Sequence, residues 1–362
     1  MYIKPFAVEE WMNEYEINAR YNIAETCVDS ISVDELFELI GGGKEAFLEK
    51  FCARRLVYGD ILGAPAFKRG VCSLYKTISE DEVITTHGAA GASHHVFFSL
   101  VEPGDRVISI MPTYQQLYSI PESYGADLHL LHLKQENDYL PDLDELRALV
   151  TPDTKLICIN NPNNPTGALM SGELLRQNVE IARSVDAYVL CDEVYRHLTQ
   201  DDAWSESIVD IYEKGISLGS MSKAFSLAGL RLGWVATHDK AALAAMISHR
   251  DYNHISCGLF DEALATVALE HRMCCCSATA LSSERIWLFW MRGWQVSPTS
   301  AIPSRRQVLP RWCITIMISP LASSATICGT PPALLLSPVT ASSSLAVCVS
   351  AMPVTSRCCA TA

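Results

Sequence analysis

Four groups of residues in this 362-residue chain could do chemistry together. The first is Ser220-Met221-Ser222-Lys223, with Arg231 eight residues further on. Two hydroxyls and a guanidinium near one amine make an anion site. Neighbouring positive charge and partial burial are also expected to lower the amine's pKa, as a nucleophilic lysine needs. A lysine after two serines also suits a plain surface. The second group is Leu190-Cys191-Asp192-Glu193-Val194-Tyr195. A carboxylate ending an apolar run needs a cationic or N–H partner, unless Asp192 caps a following helix. The third is the loop Asn160-Asn161-Pro162-Asn163-Asn164-Pro165-Thr166-Gly167, whose prolines fix the path of its amides. The fourth, Thr86-His87-Gly88-Ala89-Ala90-Gly91-Ala92, reads as a small-residue turn into a helix. Backbone N–H groups at such a helix start suit a phosphate.

These are the parts that a pyridoxal-phosphate site requires. Lys223 supplies an amine for the aldehyde. Asp192 keeps the pyridine nitrogen protonated, so that the ring accepts electrons from the substrate Cα. Asn164 and Tyr195 can hydrogen-bond the phenolic oxygen, and the Gly88-Ala89-Ala90 turn suits the phosphate. Tyr114, after Pro112, offers an aromatic face to stack on the ring, or else packs in a core.

The elements that must position these residues alternate. Val107–Ile110, Lys155–Ile159, Tyr188–Cys191 and Ile216–Leu218 are near-continuous apolar runs, as in strands covered on both faces. Leu174–Val185 has helical periodicity, and Asp142-Leu143-Asp144-Glu145-Leu146 opens another helix. Strands alternating with helices predict an α/β layered domain with a mostly parallel sheet. Ligands of such sheets lie beyond the carboxyl ends of the strands, where the four groups fall.

The set Gly88-Ala89-Ala90, Asn164-Pro165-Thr166-Gly167, Asp192…Tyr195 and Ser220-x-Ser222-Lys223…Arg231 resembles, in order and spacing over roughly residues 30 to 270, the fold-type I aminotransferases of class I/II. The resemblance implies a large domain with a seven-stranded, mostly parallel sheet flanked by helices, over residues 31–272. It implies a small domain to which residues 1–30 contribute, and a homodimer with the active site at the interface. Tyr58 then reaches the phosphate of the partner subunit. Lys223 shuttles the Cα proton, Asp192 pairs with the ring nitrogen, and Arg231 binds phosphate with Ser220 and Ser222. The implied reaction passes an amine from an amino acid to the cofactor and on to a 2-oxo acid. The same pocket serves β-elimination of sulfur amino acids and cyclisation of a side chain onto Cα. Thr85-Thr86-His87-Gly88 is similar to the cyclising capreomycidine synthases.

Composition narrows the partners. The net charge of −13 argues against nucleic acid or an anionic membrane. The N-terminal residues show no signal peptide, and no apolar run reaches the roughly 20 residues of a membrane span, so a cytoplasmic protein is expected. Cys27, Cys52, Cys72, Cys158, Cys191 and Cys257 are scattered and read as buried or neutral thiols of a reducing compartment. The tail's Cys274-Cys275-Cys276 and Cys358-Cys359 are poorly spaced for one tetrahedral site, and no histidine follows His271; no metal is expected.

The chain changes character near Arg272. Residues 1–272 carry 22 Lys+Arg and 40 Asp+Glu, whereas residues 273–362 carry 6 Arg, one Glu, and no Lys, Asp or Tyr. Family members grip the substrate carboxylate with an arginine in an Arg-x-Gly-Tyr strand near the C-terminus. None of Arg285, Arg292, Arg305, Arg306, Arg311 and Arg357 has that setting. The stretch Val347–Pro353 can be encoded GTT TGC GTA TCG GCT ATG CCT, and dropping two nucleotides gives Leu-Arg-Ile-Gly-Tyr-Ala. With the same offset and a suitable choice of the free codon positions, Gln307–Ile318 can be read as Gly-Thr-Thr-Ala-Leu-Val-Tyr-Tyr-Asp-Tyr-Asp. We therefore read residues from about 273 onward as a shifted frame, in which the small C-terminal domain is lost or disordered, the alternative being an unusual natural tail. An inactive chain lacking the carboxylate arginine is the corresponding functional reading.

Overall fold

The computed structural model describes residues 2–15, 27–198 and 205–280, with the backbone of short strands at Tyr21–Asn22, Cys313–Met317, Leu334–Leu335, Ser337–Ala341 and Ser344–Ser350. The six arginines of the tail lie outside the described residues.

Seven strands form one sheet: β1 Val83–His87, β2 Arg106–Met111, β3 Asp127–His132, β4 Thr154–Asn160, β5 Tyr188–Asp192, β6 Gly215–Ser220 and β7 Leu232–Thr237. Their spatial order is β1-β7-β6-β5-β4-β2-β3. All pairings are parallel except those of β7, which runs antiparallel to both β1 and β6. The fold is α/β with a mostly parallel sheet, and the four apolar runs expected to be strands are β2, β4, β5 and β6. Each extends a residue or more beyond its run.

The period of two explains why those runs are so continuous. Leu156 and Cys158 of β4 face one buried cluster, together with Val96, Phe97 and Met246. Ile157 and Ile159 face the other, with Phe67, Val71 and Leu175. Helices supply both covers. Residues 7–15 form α1 (Ala7–Tyr15), and α2 (Gly88–Leu100) follows β1 directly. The helix predicted over 174–185 is α3 (Gly172–Arg183), started two residues earlier because the Ser171 hydroxyl accepts from the Leu174 amide. Asp142 caps the helix Leu143–Leu149 in the same way. Helices α4 (Lys240–Arg250) and α5 (Leu259–Glu270) follow β7, and helical backbone continues over 272–280. Farther on, Ser344–Ser350 pairs antiparallel with both Ser337–Ala341 and Cys313–Met317.

Candidate active site

The carboxyl ends of β1, β2, β4, β5 and β6 lie on one side of the sheet, and the antiparallel β7 starts there. Above that edge is a cavity of about 420 Å³. Lys223, Asp192, Tyr195, Asn164 and Tyr114 line it, as do Ala89, Ala90, Ser220, Ser222 and Arg231. Gly88 stands behind Arg231, where a Cβ would meet Nη2 at 3.0 Å. Tyr58 is outside, 77% exposed.

Asp192 ends β5 and is buried. The chain then makes turns rather than a helix, so the helix-cap reading of Asp192 does not hold. Its Oδ1 accepts from the Val194 amide at 3.2 Å, and among the described residues no cation forms an ion pair with it. Burial raises this carboxyl to about 6, with the neighbouring Glu193 charge adding to the rise and Lys223 opposing it. A buried carboxyl facing a cavity in this state suits a ligand that brings an N–H cation.

Lys223 follows β6 and is a cavity residue, not a surface one. Its Nζ lies 5.7 Å from the centre of the Tyr195 ring and donates to Cys27 Sγ at 3.2 Å. The expected lowering of its pKa is overturned. Burial does push the ammonium down, but Tyr195, Cys27 and Tyr114 surround it with acidic hydroxyl and thiol groups, which hold it above the usual lysine range. Burial acts in the expected direction, and the rise comes from the hydroxyl and thiol neighbours.

The turn after β1 is shaped by two glycines. Gly88 opens α2 with φ +67°, a conformation that other residues adopt poorly. A Cβ on Gly233 would meet the Gly88 carbonyl carbon at 2.4 Å and the Ala89 nitrogen at 2.7 Å. The start of α2 is thereby pressed against β7, and Ala89 and Ala90 line the cavity.

The asparagine loop holds itself by side-chain amides. Asn160 Nδ2 donates to the Asp192 carbonyl, and its Oδ1 accepts from the Asn164 amide at 2.6 Å. Asn163 Oδ1 accepts from both the amide and the hydroxyl of Thr166, while Asn161 Oδ1 accepts from Met170. The peptides before Pro112, Pro162 and Pro165 are cis. This order joins the end of β4 to the end of β5 and leaves Asn164 on the cavity wall.

Sequence reasoning missed two contributors. Cys27, grouped with buried or neutral thiols, is exposed and touches Lys223. The segment Phe6–Met12 also borders the cavity. Gln115 anchors it by donating to the Pro5 carbonyl at 2.8 Å and accepting from the Ala7 amide at 3.0 Å. Phe6 packs on Tyr114 with ring centres 5.0 Å apart. No local pattern foretells either contact, because more than 100 residues separate these partners.

Comparison with known proteins places this geometry. Residues 43–272 match the family model described as aminotransferase class I and II. Capreomycidine synthase of Streptomyces vinaceus is 30% identical over 305 residues, 83% of this chain and 72% of the synthase. Aspartate aminotransferase of Pyrococcus horikoshii is 35% identical over 184 residues, 49% of this chain and 47% of that enzyme. The chain thus spans about half the length of that aminotransferase. The crystal structure of a PLP-dependent aminotransferase from Streptococcus suis 89-1591 has a TM-score of 0.79 and 43% identity, covering 82% of this chain and 79% of that one. Pyridoxal 5′-phosphate is the cofactor of this family. The family match takes in more than half of the sequence and every cavity residue except Cys27 and the N-terminal segment, and the chain belongs to the aminotransferases of class I and II.

Proposed function

We propose that this fold transfers an amino group between an amino acid and a 2-oxo acid, with Lys223 as the residue that holds pyridoxal phosphate. The observation that carries this reading is one cavity wall bearing Lys223, the buried Asp192 and Arg231. The bound cofactor supplies an electron sink for the substrate's Cα. Asp192, whose carboxyl carries no paired cation among the described residues, keeps the ring nitrogen protonated. Tyr195 and Asn164 would donate to the phenolic oxygen, and Tyr114 would cover the ring. Arg231, Ser220, Ser222 and the amides of the Gly88-Ala89-Ala90 turn hold the phosphate. Lys223 would hold the cofactor's aldehyde and, when its amine is free, would move the substrate's Cα proton through Nζ.

Two further points belong to this reading. Leu56, Val57, Tyr58, Ile61 and Leu62 are exposed, as are Tyr252 and Ile255. The Gly59 amide donates to Ser256 Oγ at 3.2 Å, which brings the two segments into one apolar surface. It suits a homodimer in which Tyr58 reaches the phosphate of the partner subunit, in keeping with a cytoplasmic enzyme. The composition break near Arg272 and the family strings recovered by one offset support a shifted frame in residues 273–362. In that case the activity belongs to the in-frame product, and this chain has the cofactor pocket without the carboxylate arginine. Sequencing the gene through codon 272 tests this, and a continuous frame overturns it.

A second reading is cyclisation of a side chain onto Cα, favoured by the likeness to capreomycidine synthase over 83% of the chain. Elimination from a sulfur amino acid would use the same lysine. Addition of pyridoxal phosphate to the purified chain is expected to give a visible absorbance band that Lys223→Ala lacks. No band in the unaltered chain overturns the cofactor assignment for it. With the in-frame product, a 2-oxo acid, a cyclic product and a released thiol separate the three reactions.

A further inference from the structure

We infer that Glu9 reads the far end of the substrate and that the substrate is an amino acid whose side chain ends in a cation. The inference rests on the cofactor assignment above and adds the substrate class to it. Glu9, Asp192, Lys223 and Arg231 are the charged residues on the cavity wall among the described residues. The last three are taken up by the cofactor's ring nitrogen, aldehyde and phosphate. Glu9 is left over.

Its place is built rather than accidental. The two hydrogen bonds between Gln115 and the backbone at Pro5 and Ala7 fix the start of α1, and the Phe6–Tyr114 ring contact seats it on the wall. Glu9 Oε1 then accepts from the Tyr114 hydroxyl at 3.4 Å, a long contact that leaves most of the carboxylate free to bond another donor. No lysine, arginine or histidine forms an ion pair with Glu9 among the described residues, although Lys4 of the same segment pairs with Glu122 at 2.7 Å. Glu9 and Tyr114 both line the cavity, so the carboxylate faces the space that cofactor and substrate would share. A guanidinium or ammonium there gains a charge-assisted hydrogen bond, and a substrate carboxylate meets a like charge.

The test uses the full chain with its frame verified through codon 272, or the in-frame product if the frame is shifted, loaded with pyridoxal phosphate, with the cofactor's absorbance change on titration reporting binding. Arginine, lysine, leucine and glutamate are compared in the unaltered chain, Glu9→Gln and Glu9→Lys. Glu9 is exposed, so neither change disturbs the core. Arginine and lysine are expected to bind roughly tenfold more tightly than leucine, and glutamate more weakly still. Glu9→Gln should bring arginine to the level of leucine, and Glu9→Lys should make glutamate the preferred ligand. Equal affinities for arginine and leucine in a chain that shows the cofactor band overturn this inference and leave the cofactor assignment standing. A chain with no band overturns both.

Discussion

Gly233 lies against Gly88 so closely that a Cβ on the former would meet the latter's carbonyl carbon at 2.4 Å. Backbone on that side leaves no flexible side chain to move aside. Gly233→Ala must therefore displace the start of α2, and with it the amides proposed to hold phosphate. We expect a loss of about 1–3 kcal/mol in urea unfolding. Pyridoxal phosphate should bind at least tenfold more weakly to this variant in an absorbance titration. Unchanged cofactor affinity would show that the turn does not hold the phosphate.

Asp192 sets a pH dependence in the cofactor-free protein. Its folded value is about 6 against an ordinary 3.8, so the folded state holds the proton more tightly than the unfolded state. Stability from this group is therefore present at low pH and is lost as pH rises from about 4 to above 6, by about 3 kcal/mol at most. Asp192→Asn keeps an oxygen for the Val194 amide and has no charge to desolvate. Thermal melts should show the two proteins equal near pH 4 and the variant more stable near pH 7. A variant less stable at both values would contradict the assignment.

The 3.2 Å contact between Lys223 and Cys27 has a consequence for cofactor capture. Cys27 is among the groups that hold the lysine above its usual range. Removing the thiol in Cys27→Ala should lower the amine's pKa and raise the neutral fraction at any given pH. The rate of pyridoxal phosphate capture, followed by stopped-flow absorbance, should then rise at lower pH than in the unaltered chain. An identical pH profile would mean that Cys27 does not govern the amine.

How much of this could be read beforehand depends on whether the signal is local. Strands β2, β4, β5 and β6 were legible because burial on both faces makes their apolar runs continuous. The residues at their ends were legible because Asp192, Lys223 and Asn164 are types seldom left at strand ends without a partner. The rim was not legible. Glu9 and Cys27 reach the cavity by chain segments far from it in sequence, and nothing in Glu9-Glu10-Trp11 distinguishes one carboxylate of an amphipathic helix from the next. The direction of the Lys223 shift differs from the expectation because Tyr195, Cys27 and Tyr114 act on the amine together, and of these Cys27 had no local signal placing it at the site.

Glu193, adjacent to Asp192, bears on the fold rather than on the cavity. Its buried carboxylate accepts from the Ser207 hydroxyl, the Ile208 amide and the Ser217 hydroxyl, each at 2.8–3.0 Å. Arg196 Nη1 lies 3.6 Å away, itself buried and stacked over Tyr75. Tyr75 in turn bonds Ser217 and receives the Trp234 indole N–H at 2.8 Å, so one network joins β5, β6 and β7 beneath the site. Glu193→Ala would leave a buried guanidinium without its carboxylate, and the Ser207 hydroxyl and Ile208 amide without their acceptor. That places its loss at about 3–5 kcal/mol in urea unfolding. Glu193→Gln retains an acceptor for part of the network and should lose less. If the alanine variant unfolds within 1 kcal/mol of the unaltered chain, to the order of magnitude set by buried pairs, the network does not tie the three strands together.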